Sequence, residues 1–159
     1  MPALATIIAA RLPPPGDRVL VIGPAALAAS ASLCRPGLTL ACPAPPRRRA
    51  RARARVPVVV ASPAALPVRP GSLDALVAVA RAAPPTAPLL AAWAAALRPG
   101  GRLVVVTASR RGLSLRSPPP ASDLTRGLMV AGMAGIGQSR AAGLLLTHGR
   151  RADLPPPPG

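Results

Sequence analysis

The sequence predicts an α/β fold: a mostly parallel seven-stranded sheet with an antiparallel last strand and helices on both faces. Two observations carry this. Short runs rich in Val and Leu alternate with helix-compatible stretches along the chain. These runs are apolar at nearly every position instead of at every second one, as in strands buried on both faces. A length of 159 residues suits one such domain, expected over residues 1–153 and followed by a proline-rich tail over 154–159.

Each element follows from local sequence. Met1 to Gly16 reads as a short amphipathic helix ended by Pro13 to Pro15, because proline lacks the N–H that the next turn requires. RVLVI at 18–22 is the first strand and PAALAASASL at 24–33 the helix after it. GLTLAC at 37–42 and VPVVV at 56–60 give strands two and three, and LDALVAVA at 73–80 gives strand four. A helix from Thr86 to Leu97 ends at Arg98-Pro99-Gly100-Gly101, where Pro99 cannot continue the helix and the glycines are expected at positive φ. RLVVVT at 102–107 is strand five. ASDLTRGLMVAGM opens a helix with Ser122 or Asp123 as N-cap, and strands at 136–141 and 143–148 close the sheet as an antiparallel hairpin. Three stretches read as exposed and irregular: the Pro/Arg-rich insertion 43–55, the loop 110–120 and the tail.

Composition constrains partners. The formal net charge is +16, and every basic side chain is Arg; there is no Lys, Glu, Asn, Phe or Tyr, with 24 Pro and 14 Gly. Such a charge points to nucleic acid or an anionic surface, but Arg, Ala, Pro and Gly are also the residues of GC-rich codons. The run Arg47 to Arg55 holds six arginines in nine residues. It can attract phosphates, yet no aromatic side chain is interleaved for base stacking, so it reads first as a solvated loop and only second as a nucleic-acid contact. Cys34 and Cys42 have no metal-ligand or disulfide spacing. No uncharged apolar run approaches the roughly 20 residues that span a bilayer, and the amino terminus lacks the basic start of a signal peptide. The expectation is a cytoplasmic protein without membrane association.

The middle of the chain carries the most specific motif. Leu66-Pro67, Gly71-Ser72, Asp74 and then Leu97-Arg98-Pro99-Gly100-Gly101 leading into RLVVV stand at the spacing of a fold pattern. In that pattern, L-P-F and G-S-F-D run into strand four, and L-R-P-G-G-x-L runs into strand five. In this the chain resembles the class I S-adenosylmethionine-dependent methyltransferases, which implies their Rossmann-like fold. These residues build a helix-to-strand junction, so they speak to fold and not to a site.

The resemblance also says where the cofactor would sit, and there the residues differ. The family has an acidic residue and D/E-x-G-x-G-x-G after strand one; this chain has V-I-G-P-A-A-L. Gly23 alone survives, Val21 stands in the acidic place, and Ala25 and Leu27 replace later glycines. Ala41 and Cys42 stand where an acid would hold the ribose, and Ala61-Ser62-Pro63-Ala64 replaces the acidic motif near the adenine. The corresponding positions here, Gly23, Pro24, Ala25, Cys42 and Ser62, are thus vestigial. Hydrogen bonds to charged groups contribute roughly 1.5 to 3 kcal/mol each. Loss of two or three therefore weakens binding by about two to six orders of magnitude. No catalytic residue is indicated: Asp74 belongs to the fold pattern, Asp17 and Asp153 lie in loops, and His148 ends the last strand. Trp93 reads as a packing residue.

A narrower resemblance is to the N-terminal domain of anamorsin, a methyltransferase-like domain of an iron-sulfur assembly factor that has lost cofactor binding. ALVAVA, ALRPGG, GLMVAGM and LLLTHGRR, within residues 62–151, carry it. The cluster-binding cysteine motifs of that protein have no counterpart in this sequence, so iron-sulfur binding is not carried over. Two expectations follow from the resemblances. The first is a methyltransferase-like module without cofactor that binds another protein. The alternative is a divergent methyltransferase that uses S-adenosylmethionine on an unknown acceptor.

Overall fold

The computed structural model describes residues 6, 8–14, 17–23, 36–42, 56–80, 84–108, 121–141 and 143–153. In chain order these form β1 (Val19–Ile22), β2 (Leu38–Cys42), β3 (Val58–Val60), β4 (Leu73–Ala80), α1 (Ala87–Ala96), β5 (Leu97–Ala108), α2 (Ala121–Val130), β6 (Met133–Ala141) and β7 (Leu144–Arg151). The seven strands make one sheet in the order β3-β2-β1-β4-β5-β7-β6. β1 pairs in parallel with β2 and β4, β2 with β3, and β4 with β5, whereas β7 runs antiparallel between β5 and β6. This is the Rossmann-like arrangement expected from the sequence. The expected helix 24–33, the insertion 43–55, the loop 110–120 and the tail 154–159 lie outside the described residues.

Alternation along the strands explains why the runs are apolar throughout. Val19 and Val21 of β1 face one side with Val77, Val79, Val104, Val106, Leu144 and Leu146, where Ile8 and Leu12 of the amino-terminal segment pack. Leu20 and Ile22 face the other side with Leu76, Leu103 and Val105, covered by Leu90 and Trp93 of α1 and Leu124 and Leu128 of α2. Both faces are therefore dry, which removes the polar half of the usual strand alternation. The amino-terminal segment turns helically, with Ala10 N–H donating to Thr6 O at 3.0 Å, and the chain is released at Pro13 as expected.

The junction after α1 is fixed by several side-chain contacts. Trp93 is 2% exposed, and its indole N–H donates to the Pro63 carbonyl at 2.8 Å; it is the packing residue the sequence suggests. The guanidinium of Arg151, at the end of β7, donates to the Ala95 and Leu97 carbonyls, which have no helical partner beyond the end of α1. Three expectations are corrected here. β5 begins at Leu97 and not at 102, because Leu97 pairs with Leu73 before an irregularity in the β4–β5 register. Gly100 has φ of 73°, but Gly101 does not take a positive φ. It is required by space instead, since a Cβ there would lie 2.8 Å from Arg98 O and 3.2 Å from Leu73 O. Finally, α2 begins at Ala121, so Asp123 lies within its first turn, where a negative charge suits the exposed N–H groups, and neither Ser122 nor Asp123 is the N-cap.

Candidate functional site

In an open α/β sheet a ligand crevice forms at the carboxyl ends of the strands, where the strand order reverses. That point lies here between β1 and β4. The chain leaves β1 at Gly23 with φ of 123°, and Gly23 N–H donates to Ala41 O at 3.3 Å. A Cβ on Gly23 would sit 2.6 Å from the Val79 carbonyl oxygen. The glycine therefore lets the backbone cross from β1 directly against β4, and only a residue without a side chain fits.

The other sequence-predicted positions fall around the same edge. Cys42 ends β2 and is paired in register with Val60 at the end of β3. Ser62 follows two residues later, exposed. Its Oγ accepts from Ala64 N–H at 3.3 Å, and its carbonyl accepts from Ala65 N–H at 3.0 Å, so the hydroxyl closes a local turn. Pro24 and Ala25 lie outside the described residues. The fold thus brings Gly23, Cys42 and Ser62 to one edge of the sheet.

The four carboxylates of the chain are all described, and the sequence has no Glu. Asp74 stands at the start of β4, where one oxygen accepts from Arg18 N–H at 2.7 Å and the other pairs with Arg98. Asp17 precedes β1, with its N–H donating to Pro14 O at 3.4 Å, and Asp153 follows β7. Because β7 runs antiparallel to β5, its end lies with the starts of β1 and β4. Three carboxylates therefore occupy the edge opposite Gly23, and the fourth, Asp123, is in the first turn of α2. Among the described residues no group of three or more His, Cys or acidic side chains is placed to hold a metal ion.

Cavities follow the same division. One of about 900 Å³ opens at the amino ends of the strands, lined by Arg18, Leu38, Val56, Arg69 and Leu73. A second, of about 380 Å³, is lined by Arg11, Arg102, His148 and Arg150. The Arg11 guanidinium donates to His148 Nε2 at 2.8 Å. Burial, then the positive charges of Arg11 and Arg102, hold the His148 imidazole below its ordinary value of 6.5. This basic cluster has no counterpart in the reading of the sequence. Its one visible signal is the alternation of His148 and Arg150, which puts both on one face of a strand.

Comparison with solved structures agrees with the fold. The complex of the Haloferax volcanii Trm112 methyltransferase activator with a methyltransferase is similar with a TM-score of 0.75 and 19% identity, over 93% of this chain and 88% of that one. Geranyl diphosphate methyltransferase in complex with SAM is similar with a TM-score of 0.71 and 16% identity, over 95% and 85%. The [4+2]-cyclase SpnF is similar with a TM-score of 0.69 and 14% identity, over 95% and 80%. No protein-family model and no curated protein matches the sequence. No helix among the described residues is long and apolar enough to cross a membrane. The strand order, the antiparallel β7 and these likenesses together give the chain the fold of class I methyltransferases.

Proposed function

We propose that this is a methyltransferase-fold domain that does not bind S-adenosylmethionine and acts in the cytoplasm by binding another protein. The observation that supports it is the placement of the carboxylates. The resemblance calls for acids after β1, β2 and β3, and the chain's own acids stand at the opposite edge or in α2. A fold of this kind does not by itself carry methyl transfer, and SpnF, of the same fold, is a cyclase. A protein partner accords with the Haloferax complex, in which a methyltransferase is held by an activator protein. A role like that of the anamorsin domain in iron-sulfur assembly fits the same reading. Met129 and Val130, 64% and 78% exposed at the end of α2, offer apolar contact to a partner.

The second reading is a divergent methyltransferase that holds S-adenosylmethionine through backbone groups near Gly23. The positive φ retained at Gly23 favours it, as does the SAM complex of a similar structure. Thermal unfolding with S-adenosylhomocysteine separates the two. A ligand at 100 times its Kd stabilises by about 2.7 kcal/mol, which for a chain of this size raises Tm by roughly 5 to 10 °C. The module reading expects no shift at 1 mM ligand, and a shift of that size overturns it.

A further inference from the structure

The row of paired residues that crosses the sheet through Leu40, Val21, Val77 and Val104 ends on His148 of β7 and Gly137 of β6. Four apolar residues are thus followed by a titratable one. Two pairs further along, Arg102 of β5 stands directly opposite Arg150 of β7. Strand alternation puts Arg102 on the face of Val104 and Val106, and His148 and Arg150 on the face of Leu144 and Leu146, and these are the same face. Arg11 reaches that face from the amino-terminal segment, on the side where Ile8 and Leu12 pack.

Like charges directly opposite on paired strands are destabilising, and among the described residues no ion pair offsets them. The ion pair among the described residues is Asp74–Arg98, and no described carboxylate lies within 4.0 Å of Arg11, Arg102 or Arg150. Instead the arginines lean on neutral acceptors. Arg11 donates to His148 Nε2 at 2.8 Å, and Arg102 donates to the Arg11 carbonyl at 3.4 Å. The imidazole has room because β6 presents glycine: a Cβ at Gly137 would be 2.7 Å from His148 Cε1. The result is a cavity of about 380 Å³ whose lining includes Arg11, Arg102, Arg150 and His148.

We infer that Arg11, Arg102 and Arg150, with His148, form a binding site for the phosphoryl group of a small phosphorylated ligand. Guanidinium groups pair with phosphate oxygens through two parallel N–H donors, the geometry that makes arginine the usual phosphate fork. Three of them around one cavity supply more donors than a single phosphoryl group needs, which fits a di- or polyphosphate. A bound anion also offsets the field that Arg11 and Arg102 impose on His148 and favours its protonation, which ends the acceptor role of Nε2 and frees the Arg11 guanidinium to turn to the anion. The site is independent of whether the opposite edge binds a cofactor.

The test is a calorimetric titration with inorganic pyrophosphate, joined to thermal unfolding and to NMR titration of His148, on the wild type and on Arg150→Gln, Arg102→Gln and Arg140→Gln. Arg140 lies on β6, away from the cavity lining, and controls for net charge. The expected result is that Arg150→Gln weakens pyrophosphate binding about tenfold or more while leaving ligand-free Tm equal or higher, because a like-charge pair is removed. A merely structural arginine cannot give that combination. Pyrophosphate should also raise the His148 pKa in the wild type. Arg150 is exposed, so its variant tests the site even where Arg102→Gln fails to fold. The inference is overturned by absence of binding at millimolar pyrophosphate, by an equal loss in Arg140→Gln, or by binding of an oligonucleotide without binding of pyrophosphate.

Discussion

Asp74 pairs with Arg98 across the junction between β4 and the turn after α1, and its second carboxylate oxygen takes the Arg18 N–H at 2.7 Å. One acid thereby joins the entry to β1, the entry to β4 and the turn into β5. The two partners are not equivalent, since the Asp74 side chain is 16% exposed and that of Arg98 57%. Removing the acid loses the Arg18 N–H bond together with the ion pair, about 1 to 2 kcal/mol because water reaches the freed N–H, whereas removing the exposed arginine loses the ion pair alone, about 1 kcal/mol or less. Urea unfolding of Asp74→Ala and Arg98→Ala should show the larger loss for Asp74→Ala; equal losses would mean that the ion pair dominates.

Thr147 predicts a stabilising change. It is fully buried on β7, and its hydroxyl has no hydrogen-bond partner among the described residues. An unsatisfied buried polar group is costly, and valine keeps the shape without the hydroxyl. Thr147→Val should raise stability by about 1 kcal/mol, or Tm by roughly 2 to 4 °C, by calorimetric unfolding. A fall in Tm would show that the hydroxyl has a partner in solution.

Gly23 distinguishes packing from ligand binding. The Val79 carbonyl stands 2.6 Å from where a Cβ would be, and φ is 123°. Gly23→Ala should therefore lower the stability of the ligand-free protein by more than about 2 kcal/mol, through backbone strain and overpacking. Unchanged ligand-free stability would mean that the β1 exit is not held against β4.

His148 sets a pH dependence that can be assigned, because it is the one histidine of the chain. Its folded-state pKa lies below the ordinary 6.5, so below that pH the unfolded chain takes up a proton that the folded protein refuses. Stability is full above about 6.5 and falls as the pH drops from there toward the folded pKa. Urea unfolding between pH 5.5 and 7.5 should show this slope in the wild type and a flatter one in His148→Gln. An identical slope in the variant contradicts the assignment.

Much of the fold was legible because its signals are local. β4 is found at 73–80, as read, since Gly71-Ser72 bounds an uninterrupted apolar run. The start of β5 was missed because its first pair, Leu97 with Leu73, is a tertiary contact that the Pro99-Gly100-Gly101 turn conceals. The start of α2 at Ala121 is not visible in the sequence, because Ser and Asp favour both the cap and the first turn. Of the five positions read as vestigial, Gly23, Cys42 and Ser62 stand at the carboxyl edge of the strands, and Pro24 and Ala25 lie outside the described residues. The Arg11–His148 contact joins residues 137 positions apart, and the Arg102–Arg150 pairing depends on hairpin register. Neither leaves a motif in the sequence.

The reading proposed for this domain is a class I methyltransferase fold that works without S-adenosylmethionine. Isothermal titration calorimetry of the full chain with S-adenosylmethionine and with S-adenosylhomocysteine addresses it most directly. No heat of binding is expected at millimolar ligand, because the chain carries no acidic residue in the segments that follow β1, β2 and β3, where the ribose and the adenine would be held. A dissociation constant in the low micromolar range would contradict it.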